Sequence, residues 1–266
     1  MGSPPDSKTS PIDVWGVPLM PYSLLRALER IDRLIADGKP SYFITANLHY
    51  AMLSAEIPRL REVNSQAAFI LADGMPLVWA SRLLKEPLPE RVAGSDLIWK
   101  MAERAAERGY RLYLLGGAPG IAEEAAKKLE ARYPGLSIAG TACPPFRKWT
   151  LEEEAAIVDR IRASRPHILL VAFGQPKGEL WIAEHREKLM VPLCVQVGAS
   201  LDFVAGKVRR APRWIQRSGM EWAYRLAQEP RRLVGRYARN IRFLVRMLFS
   251  RTRKRTRQSE LLSGSN

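Results

Sequence analysis

The chain has 266 residues, 47% of them hydrophobic, which suffices for one sizeable core with or without an appendage. Its net charge of +15 is placed unevenly: residues 1–202 hold 25 Lys and Arg against 24 Asp and Glu, residues 203–266 hold 17 against three. Only Cys143 and Cys194 are cysteines, and no apolar run approaches the roughly 20 residues of a membrane span, which excludes a disulfide framework, a cysteine-rich zinc site and a transmembrane anchor.

Helical and β-rich patterns alternate along the chain. The stretch Tyr22–Asp37 is amphipathic through Leu24, Leu25, Leu28, Ile31, Leu34 and Ile35, and stops at Gly38 with Pro40 beyond it. A strand over Tyr42–Ala46 precedes two short helices through Val63, and a second strand covers Ala67–Ala72. Helices over Met75–Leu83 and Ser95–Arg108 lead to a strand at Arg111–Leu115. A helix over Pro119–Arg132 precedes a strand at Leu136–Thr141. Strands at His167–Phe173 and Leu193–Val197 flank a helix over Glu179–Leu189. Continuous apolar strands separated by helices predict an α/β fold, a Rossmann-like parallel sheet with helices on both faces. The expected organisation is a core over 1–202, a basic helical appendage over 203–250 and a disordered tail over 251–266.

Ligands of such sheets sit beyond the carboxyl ends of the strands. The segments there are Thr45-Ala-Asn47, Asp73-Gly-Met-Pro76, Gly116-Gly-Ala-Pro-Gly120, Gly174-Gln-Pro-Lys177 and Gly198-Ala-Ser200. Five small or polar turns on one edge predict a phosphate- or nucleotide-binding crevice. At Gly116 and Gly117 a glycine turn opens a helix, where free amides and the helix dipole favour an anion. The G-x-G-x-x-G spacing is absent and no acid follows the next strand, which argues against a dinucleotide oxidoreductase. Asp73 is a lone carboxylate at a strand end, suited to take a proton from an attacking hydroxyl, although Asp-Gly is also an ordinary turn. Arg91 is placed to neutralise a departing pyrophosphate. There is no Asp-x-Asp pair, and His49, His167 and His185 are scattered, so no metal and no cofactor is expected. His185 is read as lying on a solvated helix face.

The basic segment has internal order. Helical projection of Arg236–Phe249 puts Arg236, Arg239, Arg242 and Arg246 on one side. Tyr237, Ile241, Leu244, Val245 and Leu248 fall on the other, with Phe243 and Met247 straying towards the basic side. That is the pattern of an interfacial helix on anionic lipid. A helix docked on its own domain is the alternative, and the large aliphatic face argues against a nucleic-acid arm. Residues 225–257 are therefore expected to meet an anionic membrane surface and no nucleic acid. With no apolar signal core at Met1–Ser7, the protein is expected to be cytoplasmic and peripheral on the inner face of the membrane.

From about Ile12 to Tyr237 the chain resembles the WecG/TagA/CpsF family of bacterial glycosyltransferases. The stretches that carry the resemblance are Thr45-Ala-Asn47, Asp73–Arg82, Arg91–Leu97, Leu115–Gly120, Val197–Phe203, Arg210–Trp214, Gly219–Leu226 and Glu229–Leu233. The resemblance implies a metal-independent, inverting transferase with a UDP-sugar donor and a polyprenyl-diphosphate-linked GlcNAc acceptor. The sugar it implies is N-acetylmannosamine, a related hexosamine or its uronic acid; glucose transfer in exopolysaccharide assembly is the alternative, towards which Met75-Pro76 leans. By motif position Asp73 matches the general base, Thr45 and Asn47 the sugar pocket, and Arg91 a donor or acceptor contact. Gln175 and Lys177 join the substrate-binding set, and Arg225, Arg231 and Arg232 are placed near the diphosphate. The family pattern after the fifth strand is Gly-x-Pro-x-Gln-Glu, whereas here Gly178 stands at the glutamine position with Gln175 three residues earlier.

Overall fold

The computed structural model describes residues 10–145, 147, 149–217 and 219–263, without the side chains of Arg213, Arg217, Arg232, Leu248, Ser250 and 251–263. A small antiparallel hairpin opens it, β1 (Ile12–Val14) and β2 (Val17–Leu19). Then come α1 (Leu24–Asp37), β3 (Ser41–Ala46), α2 (Leu48–Glu56), α3 (Pro58–Gln66), β4 (Ile70–Ala72), α4 (Met75–Leu83) and α5 (Gly94–Arg108). The series continues with β5 (Arg111–Gly116), α6 (Ile121–Arg132), β6 (Ser137–Ala142), α7 (Leu151–Ser164), β7 (Ile168–Ala172), α8 (Lys177–Leu189) and β8 (Leu193–Gln196). Four helices close the chain: α9 (Ser200–Val204), α10 (Arg213–Arg217), α11 (Glu221–Gln228) and α12 (Pro230–Ser263). Helical backbone thus continues beyond residue 250, where the sequence places the end of the appendage; the last three residues of the expected tail lie outside the described residues.

The six expected strands form one parallel sheet in the order β4-β3-β8-β7-β5-β6. Strand residues alternate between two buried layers, which is why the strands other than the edge strand β6 are largely apolar. Leu169, Val171 and Cys194 face the layer beneath α2, α3, α4, α7 and α8. Ile168, Leu170, Leu193 and Val195 face the layer beneath α1, α5, α6 and α9. The first and last strands of the sheet, β3 and β8, lie side by side. The chain leaves β3 into α2 on one face and leaves β8 into α9 on the other. Those connections diverge and leave a crevice at the carboxyl ends of β3 and β8, where open α/β sheets bind ligands.

Two features differ from the sequence expectation. His185 is buried, not solvated: its ring stacks on Trp181 at 4.8 Å and its Nδ1 meets the Trp181 carbonyl at 2.9 Å. The neighbouring helix α7 covers it, and Glu154 of that helix accepts from Trp181 Nε1 at 2.9 Å. The basic helix also has two apolar sides. Phe243 and Met247 turn inward, Phe243 edge-on to Trp15 of the hairpin at 5.9 Å between ring centres. Asn240 meets His49 Nδ1 at 3.0 Å and Arg239 pairs with Glu56, so α12 is fastened along α2. On the opposite side Ile241, Val245 and Phe249 stay exposed. Among the described residues no helix is long and apolar enough to cross a membrane.

The two sides of α12 separate in a mutational test. Phe243→Ala should cost about 3 kcal/mol of stability, the scale of losing a buried ring. Ile241→Ala, on the exposed side, should stay within about 0.5 kcal/mol of the parent. Thermal unfolding with limited proteolysis of the C-terminal helix checks both.

Candidate active site

Three strand ends build the centre of the crevice. Thr45 is buried at the end of β3, and Asp73 follows β4 with its amide donating to the Ala46 carbonyl at 2.7 Å. The Val92 amide donates to the Ala72 carbonyl at 2.9 Å, which leads the chain past Asp73 into α5. The Gly94 amide then donates to Asp73 Oδ1 at 2.9 Å. A side-chain carbon at Gly94 would lie 3.6 Å from each of Asp73 Oδ2, Ser200 Oγ and Thr45 Oγ1. Three side-chain oxygens, from the turn after β4, the start of α9 and the end of β3, therefore gather around one bare α-carbon. Asn47 borders this group; its side chain caps α2 by accepting from the Tyr50 amide at 3.1 Å.

Burial pushes the Asp73 carboxyl up to about 7, more than the Gly94 amide and the Arg91 charge pull it down. A carboxylate with that affinity for protons can accept one from a hydroxyl near neutral pH. Arg91 lies beside it and pairs with Glu221 of α11 at 3.2 Å. Arg210 reaches the same Glu221 at 3.4 Å and grips Asp96 of α5 through both terminal nitrogens. Arg210 also holds the Asp96 carboxyl below its ordinary range. The first turns of the appendage are thus clamped to the crevice by two guanidiniums sharing one carboxylate. Arg225 of α11 sits 5.4 Å above the Phe203 ring, and its Nε is buried with no hydrogen-bond partner among the described residues.

The remaining expected residues divide. Gln175 is turned inward: its Nε2 donates to the Thr45 carbonyl at 3.3 Å and the amide also bonds the Glu179 carboxyl. Glu179 is buried, its carboxyl pushed up to about 8 by that burial, and its Oε2 has no partner among the described residues. Lys177 lies over the Trp149 and Phe173 rings at 5.4 and 5.6 Å. The Gly116 turn belongs to β5, separated from β3 by β7 and β8. Its glycine is required by packing: φ is +103°, and a side-chain carbon would come within 2.9 Å of the Ala172 carbonyl oxygen. The Gly117 amide donates to that same oxygen at 3.3 Å, and Glu123 and Glu124 already occupy the first turn of α6. This helix start is accordingly less of an anion cradle than the glycine run suggests. Arg231 is exposed on the first turn of α12, and the Arg232 side chain lies outside the described residues. Ser200, Asp96, Arg210, Glu221 and Glu179 join the site from the structure. Arg210 and Glu221 sit in family-like stretches of sequence, but only the path of the appendage brings them together.

Two carboxyls with raised proton affinity have a consequence for stability. Each contributes stability that is present below its unfolded pKa and lost as pH rises through about 7 for Asp73 and about 8 for Glu179. Asp73→Asn and Glu179→Gln should therefore melt at or above the parent temperature at pH 8. The advantage should shrink as the pH falls and be gone near pH 4. Melting curves of the three proteins at pH 4, 6 and 8 check this.

Comparison with known proteins adds an independent line. The Glycosyl transferase WecG/TagA/CpsF family matches residues 12–257. A Bacillus spizizenii (strain W23) protein is 32% identical over 196 residues, 74% of this chain and 74% of its own length. A protein of Staphylococcus aureus (strain MW2) is 30% identical over 229 residues, 85% of this chain and 88% of its own length. Both carry the name N-acetylglucosaminyldiphosphoundecaprenol N-acetyl-beta-D-mannosaminyltransferase. A match along nearly the whole sheet and into the appendage means that the chain belongs to the WecG/TagA/CpsF family of glycosyl transferases.

Proposed function

We propose that this protein transfers N-acetylmannosamine, or a closely related hexosamine or its uronic acid, from UDP to a polyprenyl-diphosphate-linked GlcNAc in cell-surface polysaccharide synthesis. The observation that carries the reading is Asp73, a lone carboxylate poised near neutrality at the carboxyl edge of the sheet beside Thr45 and Ser200. The acceptor hydroxyl oxygen attacks the anomeric carbon as the bond from that carbon to the UDP oxygen breaks. Asp73 Oδ2, the oxygen not bonded to Gly94, takes the hydroxyl proton. One base and one displacement invert the anomeric centre.

The departing UDP gathers negative charge, which needs compensation in the crevice. Arg91 and Arg210 are within reach of it once the diphosphate competes with Glu221, and Arg225, whose Nε makes no hydrogen bond among the described residues and lies 3.9 Å from Glu229, adds a third guanidinium. Arg231 and Arg232 follow on the same appendage. Guanidiniums in this role make the reaction independent of a divalent metal. The β3 end holds the sugar, and the nucleotide extends across β8 and β7 towards the Gly116 turn, a distance of about 14 Å at about 4.8 Å per strand.

The lipid end of the acceptor lies at a membrane, and the exposed side of α12 suits such a surface. Ile241, Val245 and Phe249 lie among arginines, with Trp214, Met220 and Trp222 exposed on the neighbouring segments. Each basic residue facing an anionic leaflet contributes about 1 kcal/mol, and apolar burial adds about 25 cal/mol per Å². The protein is thereby peripheral on the inner face of the cytoplasmic membrane, held reversibly, with a basic appendage that serves lipid and not nucleic acid.

Transfer to a synthetic prenyl-diphosphate-GlcNAc acceptor, screened over UDP-sugars with EDTA present, tests the reaction. The expected outcome is preferred transfer of an N-acetylhexosamine, undiminished by chelation and rising with pH through about 7. Asp73→Asn should lower the rate roughly 10²–10⁴-fold while UDP binding persists. A preference for UDP-glucose, or activity restored only by added metal, would overturn the corresponding part. For the membrane, co-sedimentation with anionic vesicles should be strong at low salt and weaken at high salt. A chain ending at Tyr237 should stay in the supernatant, and pelleting of that truncation would defeat the lipid role of α12.

A further inference from the structure

The volume beside Gly178 is filled by a side chain from another strand. A side-chain carbon at Gly178, in the first turn of α8, would lie 2.5 Å from Gln196 Cγ and 2.8 Å from Gln196 Cδ. No residue larger than glycine fits at 178 while Gln196 keeps its place. Gln196 is the last residue of β8, and it is buried.

The orientation of its amide is fixed by chemistry. The Gly198 backbone amide is an obligatory donor and lies 2.7 Å from Gln196 Oε1, so that position must be the acceptor oxygen. The Nε2 group is then left on the other side, 3.3 Å from the carbon position at Gly178 and 3.8 Å from that at Gly198. Among the described residues it has no acceptor. The sealed, unpartnered side-chain atoms among those residues are Glu179 Oε2 and Arg225 Nε, so Gln196 Nε2 is not sealed off, and it stands at the carboxyl end of β8, the edge of the sheet that carries the crevice. Gln175 is engaged differently, its Nε2 donating to the Thr45 carbonyl at 3.3 Å.

We propose that Gln196 is a specificity-determining residue, donating through Nε2 to an oxygen of the transferred sugar, either a hydroxyl or an acetamido carbonyl. The inference rests on the transferase reading above and adds to it the group that tells one sugar from another. Gly178 and Gln196 form one unit: the α8 position is bare so that the β8 amide can stand over it.

The test is an exchange of the two residues, read as kcat/KM for transfer and, separately, as the Kd for UDP alone. Gln196→Ala should lower kcat/KM roughly 10-fold, the scale of one lost hydrogen bond, with the Kd for UDP unchanged because UDP lacks the transferred sugar. Gly178→Gln alone should lose more, since its side chain collides with Gln196. The exchange Gly178→Gln with Gln196→Gly returns an amide to the same volume from the other side and should recover to within about threefold of the parent. Loss confined to N-acetylated donors assigns the acetamido carbonyl; equal loss with plain hexose donors assigns a hydroxyl. Full activity of Gln196→Ala, equal loss of UDP affinity, or an exchange variant no better than Gly178→Gln would overturn the proposal while leaving the transferase reading intact. A parent protein that transfers no sugar from any UDP-sugar overturns both.

Discussion

The hydrogen bond from the Gly94 amide to Asp73 Oδ1 is the contact on which the crevice depends. It ties the end of β4 to the start of α5, and with the Ala46 carbonyl holding the Asp73 amide it leaves the carboxylate one position to occupy. Burial raises the proton affinity of that carboxylate, and the single amide keeps it from rising further. A second donor on Asp73 would return it towards an ordinary acid, too weak a base for a sugar hydroxyl. The α-carbon of Gly94 faces the same spot that the free oxygen, Thr45 and Ser200 border.

Around this centre charges are matched in pairs. Arg91 and Arg210 converge on Glu221, and Arg210 also grips Asp96, so the crevice in its unliganded form is close to neutral despite its arginines. The basic excess lies further out, along α12. Division of labour follows from that placement: the inner arginines are held in register by carboxylates, and the outer ones face whatever lies beyond the appendage. Glu179 stands apart as a buried carboxyl with a raised proton affinity, supported by Gln175 at the base of α8.

The parallel sheet was legible because its strands other than the edge strand β6 are buried on both faces and so appear as apolar runs. The position of Asp73, Thr45 and Asn47 at strand ends was legible because strand ends can be counted. The hairpin over Ile12–Leu19 was not, since three-residue strands leave too short a pattern. Helix α7 was passed over although Thr150 and Glu153 form a reciprocal cap at its start. At the Gly116 turn glycine answers to the Ala172 carbonyl, and a sequence does not distinguish a glycine needed by a neighbour strand from one needed by a ligand. His185 was misjudged because helix projection cannot see α7 lying across it. Phe243 and Met247, which looked like strays among arginines, are the residues that fasten α12 to the core.

The shared carboxylate of Glu221 carries one more implication. It belongs to the appendage, while one of the guanidiniums it holds belongs to the core. Any anion that captures Arg91 or Arg210 does so in competition with this internal anion, so ligand occupancy and docking of the appendage are thermodynamically linked. By reciprocity, a force that draws the appendage outward carries Glu221 and Arg210 with it and frees Arg91 of the core for an incoming anion.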